Sequence, residues 1–291
     1  IDALPKMVAE SDGRVHAEFD QIGAETGRFS SRNPNLQNIP IRTELGRAIR
    51  KSFVPSKNTH VLVSADYSQI ELRVLAHLSK DKALLDAFDK NDDIHTLTAA
   101  ALFNVKEKEV TYPMRDTAKR VNFGIIYGIS SFGLAKDLNI TASKAQAFID
   151  AYFVKHPKVK EFLENSIAQC EKEGYATTIL KRRRYIADIK SKNMAVRQFA
   201  QRQAINTPVQ GSAADIMKLA MIRVQEGLDQ KKFESKMIMT VHDELVFDVL
   251  KKEQEGLIQL VRQEMESPMK LAVPIKVSIK VGANWLEGKE V

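Results

Sequence analysis

The sequence predicts an α+β domain in which strands near both ends are separated by a large helical insertion. Apolar, largely β-branched runs at 60–65, on both sides of residues 242–244, and in "VPIKVSIKVGANW" near the end read as strands. Between about residues 73 and 205 the apolar positions recur at helical spacing instead, with few strand signals. Strands and helices are thus segregated, not alternated as a doubly wound sheet would require.

Each element follows from its local pattern. Residues 14–42, rich in Gly, Ser, Asn and Pro, are expected to be extended or looping. "HVLVSADYSQIELRVLAHLSK" changes character in mid-run: 60–65 suit a buried strand, while from Gln69 the spacing of Ile70, Leu72, Val74 and Leu75 suits a helix. Asp66 therefore falls at a strand-to-helix junction. After the helical middle come a helix near 208–230, a strand pair flanking His242–Glu244, a helix near 252–267 and a closing strand.

The chain has 291 residues, 44% of them hydrophobic, enough for one large core or two smaller ones. No window reaches the run of about 18 apolar residues that crosses a bilayer, so no membrane partner is expected. Cys170 is the single cysteine, which excludes an internal disulfide and a cysteine-based zinc site. A reducing, cytoplasmic and nucleoid-associated location is the expectation. The net charge of +7 suits a polyanionic partner, and "LKRRRYIADIKSK" (180–192) and "RQFAQRQ" (197–203) are its most cationic stretches. The chain opens at Ile1 without a methionine and is expected to be a piece of a longer polypeptide.

Two apolar strands joined by a short polar pair predict a β-hairpin with Asp243 and Glu244 at or beside its tip. The flanks are unusually apolar for an exposed turn, and the Asn-Gly or Asp-Gly favoured in such turns is missing. Asp66 ends a second buried strand. If both strands join one sheet, their carboxylates converge and repel, and so need a counter-charge. Oxygen ligands of this kind favour Mg²⁺ or Mn²⁺. A pair of such ions is the clamp used for in-line phosphoryl transfer.

"TYPMRDTAKRVNFGIIYG" (111–128) predicts a helix with Pro113 in its first turn. Arg115, Lys119, Phe123 and Tyr127 recur every four residues and form one slowly winding stripe, two cations followed by two rings. A core does not want the cations, and solvent does not want the rings. A nucleoside triphosphate satisfies both, with phosphates against Arg115 and Lys119 and sugar and base against Phe123 and Tyr127. No P-loop or dinucleotide fingerprint competes.

"DYSQIELR" (66–73), "RDTAKRVNFGIIYG" (115–128) and "VHDE" (241–244) resemble motifs A, B and C of family A DNA polymerases, the bacterial DNA polymerase I group. "TGRFSSRNPNLQNIP" (26–40), "DIHTLTAA" (93–100) and "QRQAINTPVQGSAADIMK" (201–218) are similar to that family in the same order. The resemblance covers essentially the whole chain. It implies a right-hand polymerase fold, with an antiparallel palm sheet drawn from residues 1–72 and 206–291 and helical fingers from 73–205.

It also implies roles, position by position. Asp66 and Asp243 would hold two catalytic Mg²⁺ ions, with Mn²⁺ as a substitute and the Tyr67 carbonyl as a backbone ligand. Glu244 would be a secondary carboxylate. Arg115 and Lys119 would contact the triphosphate, Lys119 also as proton donor to the leaving pyrophosphate. Gln69 and His95 would help bind the incoming dNTP, Phe123 would lie against its sugar, and Tyr127 would guard the template-base position. Glu71 would act as the gate against a 2′-hydroxyl. Arg28, Arg202, Asn206, Gln210 and His242 would contact the DNA primer-template. The implied reaction is template-directed DNA synthesis by two-metal nucleotidyl transfer, in replication and repair.

The sequence departs from the family at Lys181 and Ala187, where relatives commonly have glycine and proline. The resemblance also implies that thumb and exonuclease segments lie outside these residues, with the thumb supplied by a separate chain or segment. Three alternatives stay open at this point: a catalytically idle DNA-binding fragment, a two-metal nuclease and a single-subunit RNA polymerase. Phe123 in place of tyrosine and the bulk of Glu71 argue against the last.

Overall fold

The computed structural model describes residues 4–40 and 43–291; Ile41 and Arg42, the end of the stretch expected to be extended, lie outside them. The chain forms two compact units. One comprises the stretch up to Ile70 with Ala214–Lys270 and Ile275–Val291, and the other Glu71–Ala213 with Leu271–Pro274.

In chain order the first unit begins with the short strands β1 (Glu18–Asp20) and β2 (Ser30–Arg32), helix α1 (Glu44–Lys51) and strand β3 (His60–Tyr67). The second contains most of α2 (Ile70–Ser79), then α3 (Lys82–Asp89), α4 (Ile94–Phe103), α5 (Tyr112–Ile126), α6 (Ser131–Leu138), α7 (Ala142–Lys155) and α8 (Pro157–Glu173). The hairpin β4 (Tyr175–Thr177) and β5 (Arg183–Tyr185) and helix α9 (Met194–Asn206) follow. The chain then runs through α10 (Ser212–Gln230), β6 (Lys236–Val241), β7 (Glu244–Leu250), α11 (Gln254–Glu266), β8 (Val277–Gly282) and β9 (Lys289–Glu290).

The main sheet has the order β6-β7-β3-β8-β9, every pair antiparallel. This is the segregated α+β arrangement expected from the pattern, with strands from both ends of the sequence in one sheet. The period-2 alternation of β3 explains its two faces. Val63 and Ala65 are fully buried and Tyr67 nearly so on one face; the Tyr67 hydroxyl donates to the Met265 carbonyl of α11 at 2.8 Å. Leu245, Phe247 and Val249 are likewise fully buried, as are Leu257, Val261 and Met265 of α11. Burying a side chain the size of Phe247 contributes about 2–3 kcal/mol. Gly227 of α10 matters here, because a Cβ there would come within 2.5 Å of Leu260 Cδ1.

The opposite face carries Leu62, Ser64 and Asp66 in alternation. It packs on a second cluster of Leu36, Ile39, Leu62, Met239, Val241, Val246 and Trp285. That cluster ends where Asp66 begins, so the polar end of β3 sits at the margin of an apolar layer.

The second unit is helical, as expected for 73–205, with one exception. The basic run near 180 folds into the β4–β5 hairpin, which the helical reading missed because two three-residue strands leave too little periodicity to detect. The helix expected near 208–230 also differs at its start. A π-helical turn over Thr207–Gly211 joins α9 to α10, and Pro208, which cannot donate a backbone hydrogen bond, sits inside it. Among the described residues no helix is long and apolar enough to cross a membrane.

Lys181 adopts φ 65°, the left-handed conformation that a side chain disfavours. Lys181→Gly should therefore raise the stability of the chain by about 1 kcal/mol. Urea unfolding followed by circular dichroism measures this, as a higher midpoint at unchanged slope.

Candidate active site

The register of the main sheet brings two of the expected carboxylates together. Asp66, the last residue but one of β3, lies directly opposite Glu244, the first residue of β7. Directly paired residues point to the same face, so two like charges meet. The adjoining β6–β7 turn is His242–Asp243, one residue earlier than the Asp243–Glu244 tip that the pattern alone allowed, and Val241 pairs with Glu244 across it. The Asp243 carbonyl accepts from the Tyr67 backbone N–H at 3.1 Å, tying the turn to the end of β3. His242, with φ 54°, takes the turn's first central position, where glycine is the usual residue.

The electrostatics follow from this crowding. Asp66 remains solvent-accessible. The protein packed around it, then Glu244, then Asp243, push its carboxyl up to about 7, with Lys280 opposing. Arg28 Nη2 lies 3.5 Å from Asp243 Oδ1, an ion pair with no tight hydrogen bond. Glu244 has a partner that the sequence did not reveal: the Trp285 indole N–H donates to Glu244 Oε1 at 3.0 Å. The Arg50 guanidinium sits 4.0 Å above the Trp285 ring, and Phe53 meets it edge-on at 5.4 Å. The Gln69 side-chain oxygen is buried without a hydrogen-bond partner, and Gln69 adopts φ 54°.

These carboxylates fit a divalent cation. They are hard oxygen donors, held close by the strand register and short of positive charge. Among the described residues no group of three or more His, Cys, Asp and Glu side chains forms a complete metal cage. An ion here would therefore draw further ligands from backbone, water and substrate.

The helical unit brings together most of the remaining candidates. On α5, Ala118, Val121, Asn122, Ile125 and Ile126 are buried, whereas Arg115, Lys119, Phe123 and the C-capping Tyr127 lie on the accessible side. The stripe read from the four-residue spacing is therefore present. Asp93 caps α4 by accepting from the His95 N–H at 3.0 Å, and it also accepts from Arg115 Nε at 2.5 Å. Desolvation opposes ionisation of Asp93, but the bonds from Arg115 and Thr96 outweigh it and hold its carboxyl at about 2. His95 is 3% exposed, with its ring 5.9 Å from that of Phe123. Burial pushes its imidazole down to about 4, so it is neutral at physiological pH.

Asn122 Nδ2 lies 3.0 Å from His95 Nδ1, and Thr98 donates to Asn122 Oδ1 at 3.1 Å. With the Asn122 amide oriented by Thr98, His95 Nδ1 accepts and Nε2 carries the proton. The Tyr127 hydroxyl donates to Glu71 Oε2 at 2.9 Å, and Glu71 is 3% exposed. Asn206 Nδ2 reaches Gln210 Oε1 at 3.4 Å across the π turn, leaving the buried Asn206 Oδ1 without a partner. The Arg202 guanidinium lies 5.6 Å from the Phe199 ring centre.

Sequence reasoning missed Asp93, Thr98, Asn122 and Trp285. Asp93 had a readable signal as an N-cap before an apolar run. The others act through contacts far apart in sequence and had none.

An antiparallel sheet with carboxylates at its strand ends, and a separate helical unit bearing a cation-and-ring stripe, is the architecture of a polymerase domain. The solved structure of the POL domain of Pol1 from M. smegmatis, in complex with DNA primer-template and dNTP, superimposes with a TM-score of 0.94 at 45% identity. That match covers 98% of this chain and 50% of the other. The model of DNA polymerase family A matches residues 1–287, and the chain belongs to that family. DNA polymerase I of Bacillus caldotenax is 50% identical over 289 residues, 99% of this chain and 33% of the relative. DNA polymerase I of Bacillus subtilis is 49% identical over the same shares. The chain thus spans about a third of the length of these curated relatives.

Two measurements follow from this geometry. The raised Asp66 carboxyl means that the native state holds a proton which the unfolded chain gives up at its ordinary pKa near 4. Its contribution to stability is therefore greatest below about pH 4 and is lost as pH rises through about 7. In metal-free buffer Asp66→Asn should raise the melting temperature at pH 8, with the gain shrinking steadily from pH 7 towards pH 4. Adding Mg²⁺ at pH 8 should raise the wild-type melting temperature and leave that of Asp66→Asn unmoved.

Trp285→Phe keeps the ring and removes the donor. A hydrogen bond to a charged group contributes about 1.5–3 kcal/mol. A double-mutant cycle of Trp285→Phe with Glu244→Ala, which removes the acceptor, read by urea unfolding, should give a coupling of about 1.5 kcal/mol; additive effects would disconnect the two residues.

Proposed function

We propose that this chain carries the palm and fingers of a DNA-directed DNA polymerase, adding dNTPs to a primer 3′-hydroxyl under the direction of a template and releasing pyrophosphate. The sheet unit is the palm and the helical unit the fingers. The carrying observation is the pairing of Asp66 with Glu244 at the end of β3, with Asp243 in the adjoining turn. Family membership and the relatives' names support the reaction. The M. smegmatis neighbour, bound to primer-template and dNTP, supports those partners.

Asp66 and Asp243 would hold two Mg²⁺ or Mn²⁺ ions, with the Tyr67 carbonyl as a further ligand and Glu244 beside them. When bound, such a pair supplies an activated 3′-hydroxyl and stabilises charge on the leaving group. The side chains do the rest. Arg115, held at Nε by Asp93, presents its remaining N–H groups to phosphate oxygens. Lys119 contributes a second charge and a proton for the departing pyrophosphate. Neutral His95 offers an Nε2–H donor, Phe123 lies against the sugar, and Gln69 adds an unpaired oxygen. Glu71, braced by Tyr127, fills the space of a 2′-hydroxyl.

Arg28, Arg202, Asn206, Gln210 and His242 contact primer and template. Catalysis is then positioning plus charge stabilisation, in a replication or repair setting. A two-metal nuclease would use the carboxylates alone and leave the α5 stripe without a role.

Primer extension with Mg²⁺ and dNTPs is the direct test. Asp66→Ala or Asp243→Ala should abolish nucleotide addition, a loss of at least about 10³-fold in rate, while primer-template affinity measured by anisotropy changes little. Substantial addition by either variant would remove the carboxylate assignment. Glu71→Ala should admit ribonucleotides, and Tyr127→Phe should do so to a smaller degree. Unchanged dNTP-to-rNTP selectivity in both would place the gate elsewhere.

A further inference from the structure

The cluster of Leu36, Leu62, Met239, Val246 and Trp285 is not filled to its edge: it borders a cavity of about 720 Å³ within the sheet unit. That volume falls in the range of about 300–1,000 Å³ in which sites for small organic molecules lie. The segment Ser52–Lys57, which leaves α1 and turns towards β3, borders the cavity without filling it, as does Asp12–Val15 near the start of the chain.

One wall is fixed in advance. The Trp285 ring is held through its N–H by Glu244 Oε1 at 3.0 Å, over its face by the Arg50 guanidinium at 4.0 Å, and edge-on by Phe53 at 5.4 Å. Phe53 lines the cavity as well. Side chains already immobilised lose little further freedom when a ligand arrives. Two adjoining rings suit an aromatic body, which packs on them offset or edge-on.

The polar lining groups are gathered together. Asp248 holds Arg14 at 3.6 Å and accepts from the Ser56 backbone N–H at 3.3 Å, which brings Arg14 beside Ser56 and Lys57. The nearby acids are engaged: Asp248 by these contacts, and Asp12 by His16 Nε2 at 3.1 Å and by the Arg14 backbone N–H at 3.1 Å. Lys57 is exposed, and among the described residues its ammonium has no ion pair or hydrogen bond. A free cation beside an apolar wall complements an anionic group attached to an apolar body. We infer that the cavity binds a small aromatic anion, with its rings against Trp285 and Phe53 and its anionic group at Lys57. Such a site is independent of the reaction proposed above.

Trp285 is the single tryptophan of the chain, so its emission reports the wall directly. Titration with anilinonaphthalene sulfonate, and with phenylnaphthylamine, which has the same rings without the sulfonate, tests the site. Each dye should bind as one molecule per chain and quench Trp285 by energy transfer. Lys57→Gln should weaken the sulfonate about threefold, the scale of one exposed charge pair, and leave the neutral dye unchanged. Ile238→Phe, which enlarges a lining side chain, should weaken both dyes about tenfold, as overfilling a packed site does.

Near-UV circular dichroism matching the wild type confirms folding, and Val54→Phe, which lines the same cavity, serves if Ile238→Phe misfolds. Trp285 emission unmoved by either dye, several dye molecules bound without loss in the phenylalanine variant, or an unchanged sulfonate affinity in Lys57→Gln would each overturn the site. So would dye binding confined to conditions in which the near-UV signal is lost, since that reports unfolding. A dimer in sedimentation velocity that the dyes dissolve would overturn it too, and give the cavity to a second copy of the chain.

Discussion

The antiparallel pairing of β3 with β7 runs to the very end of both strands and finishes with Asp66 opposite Glu244. Like charges in direct cross-strand register repel, so something else must hold that register. The hydrophobic faces do so. A slip of one residue would turn Val63, Ala65, Leu245 and Phe247 out of their layer, at a cost of several kcal/mol, far more than a solvent-facing carboxylate pair can recover. The apolar body of the sheet thus fixes the carboxylates where they would not settle unaided. The Trp285 donor at Glu244 and Arg28 beside Asp243 offset part of the repulsion. Burial, followed by the neighbouring Glu244 and Asp243, still leaves the Asp66 carboxyl raised.

Two of the residues in the left-handed backbone region lie beside the same carboxylates. His242 and Gln69 both take φ 54° with full side chains, next to Asp243 and three residues after Asp66. Such conformations cost of order 1 kcal/mol each and persist only where surrounding structure enforces them. At His242 the constraint is the two-residue turn closed by Val241 and Glu244; at Gln69 it is the abrupt passage from β3 into α2. A glycine would relieve either position, but it would remove a side chain proposed to meet DNA or nucleotide.

Much of this was legible in the sequence, for physical reasons. Periodicity exposed the α5 stripe because one helix face is set by local spacing alone. The junction at Asp66 was legible because a β-branched run gives way to helical spacing within three residues. The Asp66–Glu244 register was not, since pairing between residues 178 positions apart depends on the whole sheet. Nor was the π turn at Thr207–Gly211, which lengthens one helical turn without changing composition. Trp285 is a core residue whose second role lies in a single N–H, and no pattern of hydrophobicity encodes the direction of a donor.

In the helical unit the phosphate-binding candidates are prepared before any ligand arrives, through one residue that was not singled out. Asp93 starts α4 by capping it, and the same carboxylate takes Arg115 of α5, so the two helices are locked at the point where the cations begin. His95 hangs from the first turn of that capped helix, and Asn122, one residue before Phe123, fixes its tautomer. A guanidinium tied at one nitrogen and an imidazole tied at the other ring nitrogen each keep donors in a set direction. Less rotamer entropy would then remain to be lost on binding the triphosphate proposed for this site. Because burial keeps His95 neutral, its contribution is a directed donor and not a charge. The full positive charges in the stripe come from Arg115 and Lys119. Charge and direction are thereby assigned to different side chains, which a cluster of three cations on the same helices would not achieve without mutual repulsion.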